Sequence, residues 1–178
     1  MSGEATEHEP VFPPWGRVAV TVARSVLSVA LLLVLYALLP LGAAPVGVAV
    51  AALVVGLLVL GGLIVWQFVA IGSARHPGLR AAEALAVAIT LFLVLFAATY
   101  YRWSEGAPAS FSEHLSRVDA LYFTVTTFAT VGFGDITAVS PAARVVVTLQ
   151  MVGDLLVLGL IVNAMLSTAR RARAARQH

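Results

Sequence analysis

The sequence predicts an all-α integral membrane protein: four transmembrane helices plus one short re-entrant helix. Three observations carry that expectation. Over 178 residues the chain is 60% hydrophobic and only 11% charged, too apolar for a soluble domain of this length. Its apolar residues fall in long runs, and one span needs roughly 20 residues. Finally, a helical stretch of about 12 residues, too short to cross a bilayer, leads into the segment Thr130-Val131-Gly132-Phe133-Gly134-Asp135.

Residues 1–17 are polar and Pro-rich (Pro10, Pro13, Pro14) and read as a cytoplasmic N-terminal tail. They have no basic n-region, so they are not a signal peptide. From Ser25 to Gly72 the chain is almost wholly apolar, interrupted by Pro40-Leu41-Gly42-Ala43-Ala44-Pro45. Two prolines and a glycine stop a helix, which gives a first span over 18–39 and a second over 46–70. Arg24 lies near the start of the first span, where it can snorkel to the interface. Trp66 and Gln67 mark the far end of the second, Trp being an interfacial residue. With the polar connector Gly72–Gly78 these spans form an N-terminal hairpin, 18–79.

A third span follows over 80–101, with Tyr100, Tyr101 and Trp103 as an interfacial aromatic belt. Residues 104–116 read as an exposed loop. Ser116 and Asp119 have the S-x-x-D form of a helix start, so Arg117–Phe128 is a helix of about 18 Å. A segment that short enters the membrane only where protein buries it. Ser140-Pro141 supplies an N-cap and a first-turn proline for a last span over 141–167. A basic cytoplasmic tail, 169–178, carries Arg170, Arg171, Arg173 and Arg176.

Charge fixes orientation and excludes several functions. All 11 basic side chains are Arg, which we read as genome composition, and they cluster at the ends of apolar runs. That pattern points to membrane topology and not to nucleic-acid binding. By the positive-inside rule both termini and the 72–79 connector are cytoplasmic in a multi-pass plasma-membrane protein, and the short helix enters from outside. The chain has no cysteine and four scattered histidines, which leaves no thiolate chemistry and no metal cluster. His114, in the outer loop, is either an ordinary surface residue or a proton sensor. No enzymatic chemistry, cofactor or soluble substrate is expected; the partners are membrane lipids, with the terminal arginines at anionic headgroups.

The Thr130–Asp135 stretch carries the chemistry. Glycine adopts backbone angles closed to other residues, so alternating glycines let successive carbonyls point one way. Several copies around an axis then form rings of oxygens that replace an ion's hydration shell. These residues, TVGFGD, resemble the selectivity filter of the potassium-channel family. Residues from about 85 to 168 resemble its whole pore module: outer helix, pore helix, filter and inner helix, a pore domain spanning 80–168. Ala120-Leu121-Tyr122-Phe123-Thr124-Val125-Thr126-Thr127 matches the family's aromatic and hydroxyl lead-in, and Arg144 its basic residue at the inner-helix start.

The resemblance implies a homotetramer that passes K+ as its transported ion. Carbonyls of Thr130, Val131, Gly132 and Phe133, with the Thr130 hydroxyl, would form the K+ sites. Gly132 and Gly134 would take positive φ. Val131 would pack its side chain against the pore helix, whose negative C-terminal end favours a cation. Asp135 would sit at the outer mouth and concentrate cations. Two departures stand out: Phe133 replaces the frequent Tyr, losing a bracing hydroxyl, and Thr126 replaces an acid found in some members.

The family's inner helix places Leu155, Leu158 and Val162 on the pore face. Asp154 has two readings, a cation-attracting cavity residue or a hydrogen-bond partner of Gln150. Gly153 also has two, a hinge or a close-packing position. The first two spans lack an Arg-x-x-Arg series and a second filter, so they are a collar or a gating element without a voltage sensor. Their Gly56, Gly61 and Gly62 suit close helix packing. With only about ten residues after the last span, no cytoplasmic ligand domain is expected. The alternatives to a K+ channel are a weakly selective cation channel and a non-conducting accessory subunit.

Overall fold

A computed structural model of the chain describes residues 15–42, 44–71 and 77–174. It contains α1 (Trp15–Leu38), α2 (Val46–Ile71), α3 (Pro77–Gly106), α4 (Arg117–Phe128) and α5 (Pro141–Ala174), with a 3-10 turn at Pro108–Ser110. Four helices are long and apolar enough to cross a membrane, over Val18–Leu38, Val46–Val65, Ala82–Gly106 and Pro141–Asn163. The chain is an all-helical, multi-pass membrane protein. The expected tail up to residue 14, the 72–76 segment of the connector with Arg75, and the end from 175 with Arg176 lie outside the described residues. So do the side chains of Arg17, Trp66, Gln67, Arg80, Arg170, Arg171 and Arg173.

α3 is the hub, packing against α1, α2 and α4 and more lightly against α5. Its C-terminal half carries a ladder of rings. Phe92 meets Phe96 at 4.9 Å between centroids, Phe96 meets Tyr100 at 6.0 Å, and Tyr100 meets Phe123 of α4 edge-on at 5.3 Å. Such tilted contacts suit the aromatic quadrupole. On α2, a Cβ at Gly56 would come within 2.6 Å of Leu95, whereas Gly61 and Gly62 face open space. The small-residue face of α2 is therefore only partly used within one chain.

The fold corrects three expectations. The first span lies where expected, Val18–Leu38, inside a helix that begins at Trp15, but α3 runs from Pro77 to Gly106 instead of over 80–101. The extra turns of α3 include polar but good helix-forming residues (Arg102, Glu105) that apolar periodicity alone overlooks. The aromatic belt is not one. Tyr100 is fully buried and Trp103 1% exposed, because the segment after α3 folds back over them. Trp103 Nε1 donates to Ser110 Oγ at 3.1 Å. For the same reason 104–116 is an exposed loop only in part: Gly106, Pro108 and residues 112–114 are exposed, but Ser104, Ser110, Phe111 and Leu115 are buried, and Ser104 Oγ accepts the Leu115 N–H at 2.8 Å. Arg24 also has more than an interface to reach, its Nη2 lying 3.4 Å from Glu83 Oε1 on α3.

Candidate functional site

The site starts from how α4 is begun and ended. Ser116 Oγ accepts the Asp119 N–H at 3.2 Å, and Asp119 Oδ2 accepts the Ser116 N–H at 3.0 Å. This capping box satisfies two N–H groups at the helix start and fixes its first residue at Arg117, as the sequence predicts. The helix stops at Phe128, and the Ala129 N–H still bonds back to Val125 O at 2.9 Å.

The next three amides also turn back onto the helix. Thr130 N–H bonds to Thr127 O at 3.0 Å, while Val131 and Gly132 N–H both reach Thr126 O, at 3.0 and 3.2 Å. All described peptide bonds are trans, so each carbonyl lies anti to the following N–H. The carbonyls of Ala129, Thr130 and Val131 therefore point away from the end of α4. This geometry needs positive φ at Thr130 (56°), Gly132 (49°) and Gly134 (81°). Nothing lies within 4 Å of a Cβ built at either glycine, so glycine is there for backbone angle and not for space. Thr130 was not expected among the positive-φ residues. A left-handed L-residue costs about 1–2 kcal/mol, and here the amides bonded to α4 hold it.

A brace stands at the Asp135 end of the segment. Tyr122 OH donates to Asp135 Oδ2 at 2.7 Å, and Asp135 Oδ1 accepts the Ile136 N–H at 3.0 Å. The Tyr122 bond holds the Asp135 carboxyl below its ordinary pKa, and the same bond raises the Tyr122 phenol. Phe133 lies parallel to Tyr122, centroids 6.5 Å apart. Position 133 has no hydroxyl, and the one that bonds Asp135 comes from Tyr122 on α4. Thr126 contributes its carbonyl, while its hydroxyl bonds to Phe123 O at 3.1 Å. Downstream, Phe111 pairs with Ala138 in an antiparallel bridge, and Arg144 Nε donates to Ala138 O at 3.1 Å.

Behind α4, Gln150 joins three helices. Tyr100 OH of α3 donates to Gln150 Oε1 at 2.7 Å, and Gln150 Nε2 donates to Thr124 O of α4 at 3.1 Å. That uses its carbonyl and one of its two amide N–H groups, and of the two readings of Asp154 the bond to Gln150 does not reach hydrogen-bond geometry. Asp154 is 2% exposed, and neither carboxylate oxygen has a hydrogen-bond partner. It lines a recess of about 460 Å³ together with Thr127, Thr130, Gly132, Gly134 and Met151. Leu155 and Val162 are 65% and 55% exposed, and Leu158 is half-buried. α5 runs unbroken through Gly153, where a Cβ would sit 3.1 Å from the Phe92 ring. Val131 is 53% exposed and Phe133 71%. His114 Nε2 lies 3.0 Å from Glu105 Oε1; His8, His76 and His178 lie outside the described residues.

Residues 88–171 match a family model described as "Ion channel". The match takes in most of α3, all of α4, the 130–135 segment and nearly all of α5, and leaves α1 and α2 outside. It supports ion-channel function for this part of the molecule. No curated protein and no solved structure matches the chain.

Proposed function

We propose that the chain is the subunit of a homotetrameric potassium channel. Its pore domain, 80–168, would be packed against the 18–79 hairpin, with both termini in the cytoplasm of a plasma-membrane protein. The observation that carries this reading is the set of amides at 130–132 bonded to the end of α4. They leave the Ala129, Thr130 and Val131 carbonyls facing the opposite side. In four copies the Thr130 and Val131 oxygens, with those of Gly132 and Phe133 and the Thr130 hydroxyl, would ring an axis. Carbonyl dipoles offset dehydration of a cation without fixing a full charge beside it, so ions bind and still leave. Exposure of Val131, Phe133, Leu155 and Val162 in a single chain fits surfaces covered by other copies or lining the conduction path. Asp135 would hold cations at the mouth, and Asp154 would add negative charge beneath the filter, with K+ the only ion of interest and no cofactor. Gly153, pressed on Phe92, supports close packing better than a hinge.

The test is K+ flux through the purified protein in liposomes, with Gly132→Ala as control, followed by bi-ionic reversal potentials. We expect K+ flux in the wild type, little in the variant, and a reversal potential far on the K+ side. Equal K+ and Na+ permeability points to a weakly selective cation channel. A stable monomer without flux points to an accessory subunit. Equal leak through wild type and variant removes the filter assignment.

A further inference from the structure

α1, one of the two helices that the family match leaves out, is fastened to the first residue of α4. Arg117 Nη1 donates to the carbonyls of Tyr36 and Ala37, at 2.8 and 2.9 Å. In return Tyr36 OH donates to Arg117 O at 2.7 Å. The Arg117 guanidinium carbon also stands 5.1 Å over the centre of the Tyr101 ring on α3. These three bonds join residues 80 and 81 positions apart.

Charge shows which helix the arginine serves. A cation in the first turn of α4 opposes that helix's own dipole. The same cation suits the last turn of α1, whose final carbonyls have no partner within the helix. Arg117 therefore ties α1 to α4 at a cost to α4 alone. Elsewhere α1 turns large apolar side chains outward, among them Val20, Leu27, Leu31 and Leu38, each more than half exposed. A further polar attachment of α1 among the described residues is Arg24–Glu83, near the opposite end. α4 is a single rigid rod of 12 residues, or about 18 Å. One end is held by α1, and the other supplies the Thr126 and Thr127 carbonyls that hold the amides of 130–132.

We propose that α1 is a regulatory strut: the Tyr36–Arg117 latch sets the seat of α4, and the latched position is the conducting one. The N-terminal hairpin thereby controls conduction at the filter without a voltage sensor. The inference rests on the channel reading above.

The test uses the full-length protein in planar bilayers, comparing Tyr36→Phe, Arg117→Met, Arg117→Lys and the Tyr36/Arg117 double variant. Each of the first two should lower single-channel open probability by roughly fivefold or more, with unitary conductance and oligomer mass unchanged. Arg117→Lys, which keeps a donor for the α1 carbonyls, should recover at least half of the loss. The double variant should fall short of the product of the singles, since both act at one joint. Wild-type open probability in Tyr36→Phe overturns the latch, including where Arg117→Met fails to assemble. So does a loss of conductance in step with a loss of assembly, which marks a brace and not a control. A wild type that passes no ion overturns the channel reading itself, whereas conduction in wild type and unchanged variants overturns the latch alone.

Discussion

Replacing Gln150 by leucine keeps the side-chain volume and removes the one amide that joins α3, α4 and α5. Two hydrogen bonds are lost, to Tyr100 at 2.7 Å and to Thr124 at 3.1 Å. Each contributes about 1 kcal/mol net in water-soluble proteins and about 0.6 within membrane helices. The Tyr100 hydroxyl is also left without a partner in a fully buried site, which costs about 1–3 kcal/mol. Thr124 O is less affected, since it keeps its place in the helical ladder. The sum is about 2–5 kcal/mol per subunit, or a fall of order 10 °C in melting midpoint for a chain of this size. Thermal unfolding in detergent, followed by loss of the assembled species, reads it directly. Tyr100→Phe alone should cost less, and the Tyr100→Phe/Gln150→Leu pair should cost less than the sum, because neither partner is then stranded. A Gln150→Leu midpoint within about 1 °C of wild type, or strict additivity, would refute the network as a determinant of helix placement.

Three further expectations follow from the site. Tyr122→Phe removes the brace on Asp135 and should raise the rate at which flux decays under sustained ion gradient. The Asp135 carboxyl is held low and the Tyr122 phenol high, so the brace is lost only as pH falls through the lowered carboxyl pKa or rises through the raised phenol pKa. Wild-type flux should therefore stay level from about pH 5 to about pH 9 as far as this pair is concerned, and a step inside that window in wild type but not in Tyr122→Phe would contradict it. Asp154→Leu removes a buried carboxylate without a partner and should raise the melting midpoint. It should also lower K+ conductance several-fold at low salt, with the deficit shrinking as salt rises; a salt-independent conductance equal to wild type would remove Asp154 from the ion's electrostatics. Ser116→Ala breaks the capping box and should cost about 1 kcal/mol, seen as a midpoint lower by about 2–4 °C.

What could be read from the sequence divides along physical lines. Helix-length apolar runs, the prolines at 40 and 45, and the caps at Ser116 and Ser140 are local signals, and they placed every helix. The start and end of α4 agree to the residue because capping chemistry is local. Side-chain partners across helices are not local. Tyr100 and Trp103 carry the composition of an interfacial belt, and only the fold-back of 107–115 turns them into core. Gln150 belonged with Asp154 by helical spacing, yet Tyr100 and Thr124, 50 and 26 positions away, claim its amide. Tyr122 could have been found: a phenol one helix length before an acid is a brace candidate wherever the intervening chain doubles back. The positive φ of Thr130 could not, because threonine carries no preference for that region.

The carbonyls that a helix leaves unpaired at its last turn ordinarily concentrate its negative pole in one place. In this chain the amides of Ala129, Thr130, Val131 and Gly132 consume those of Val125, Thr126 and Thr127. A peptide group whose N–H is engaged carries a more strongly polarised C=O. The negative pole of α4 is thus not left at the helix end but is conducted, bond by bond, into the oxygens of Ala129, Thr130 and Val131. α4 acts less as a dipole aimed across empty space than as a battery wired in series to those oxygens, and any motion of the helix changes the charge they present as well as their position.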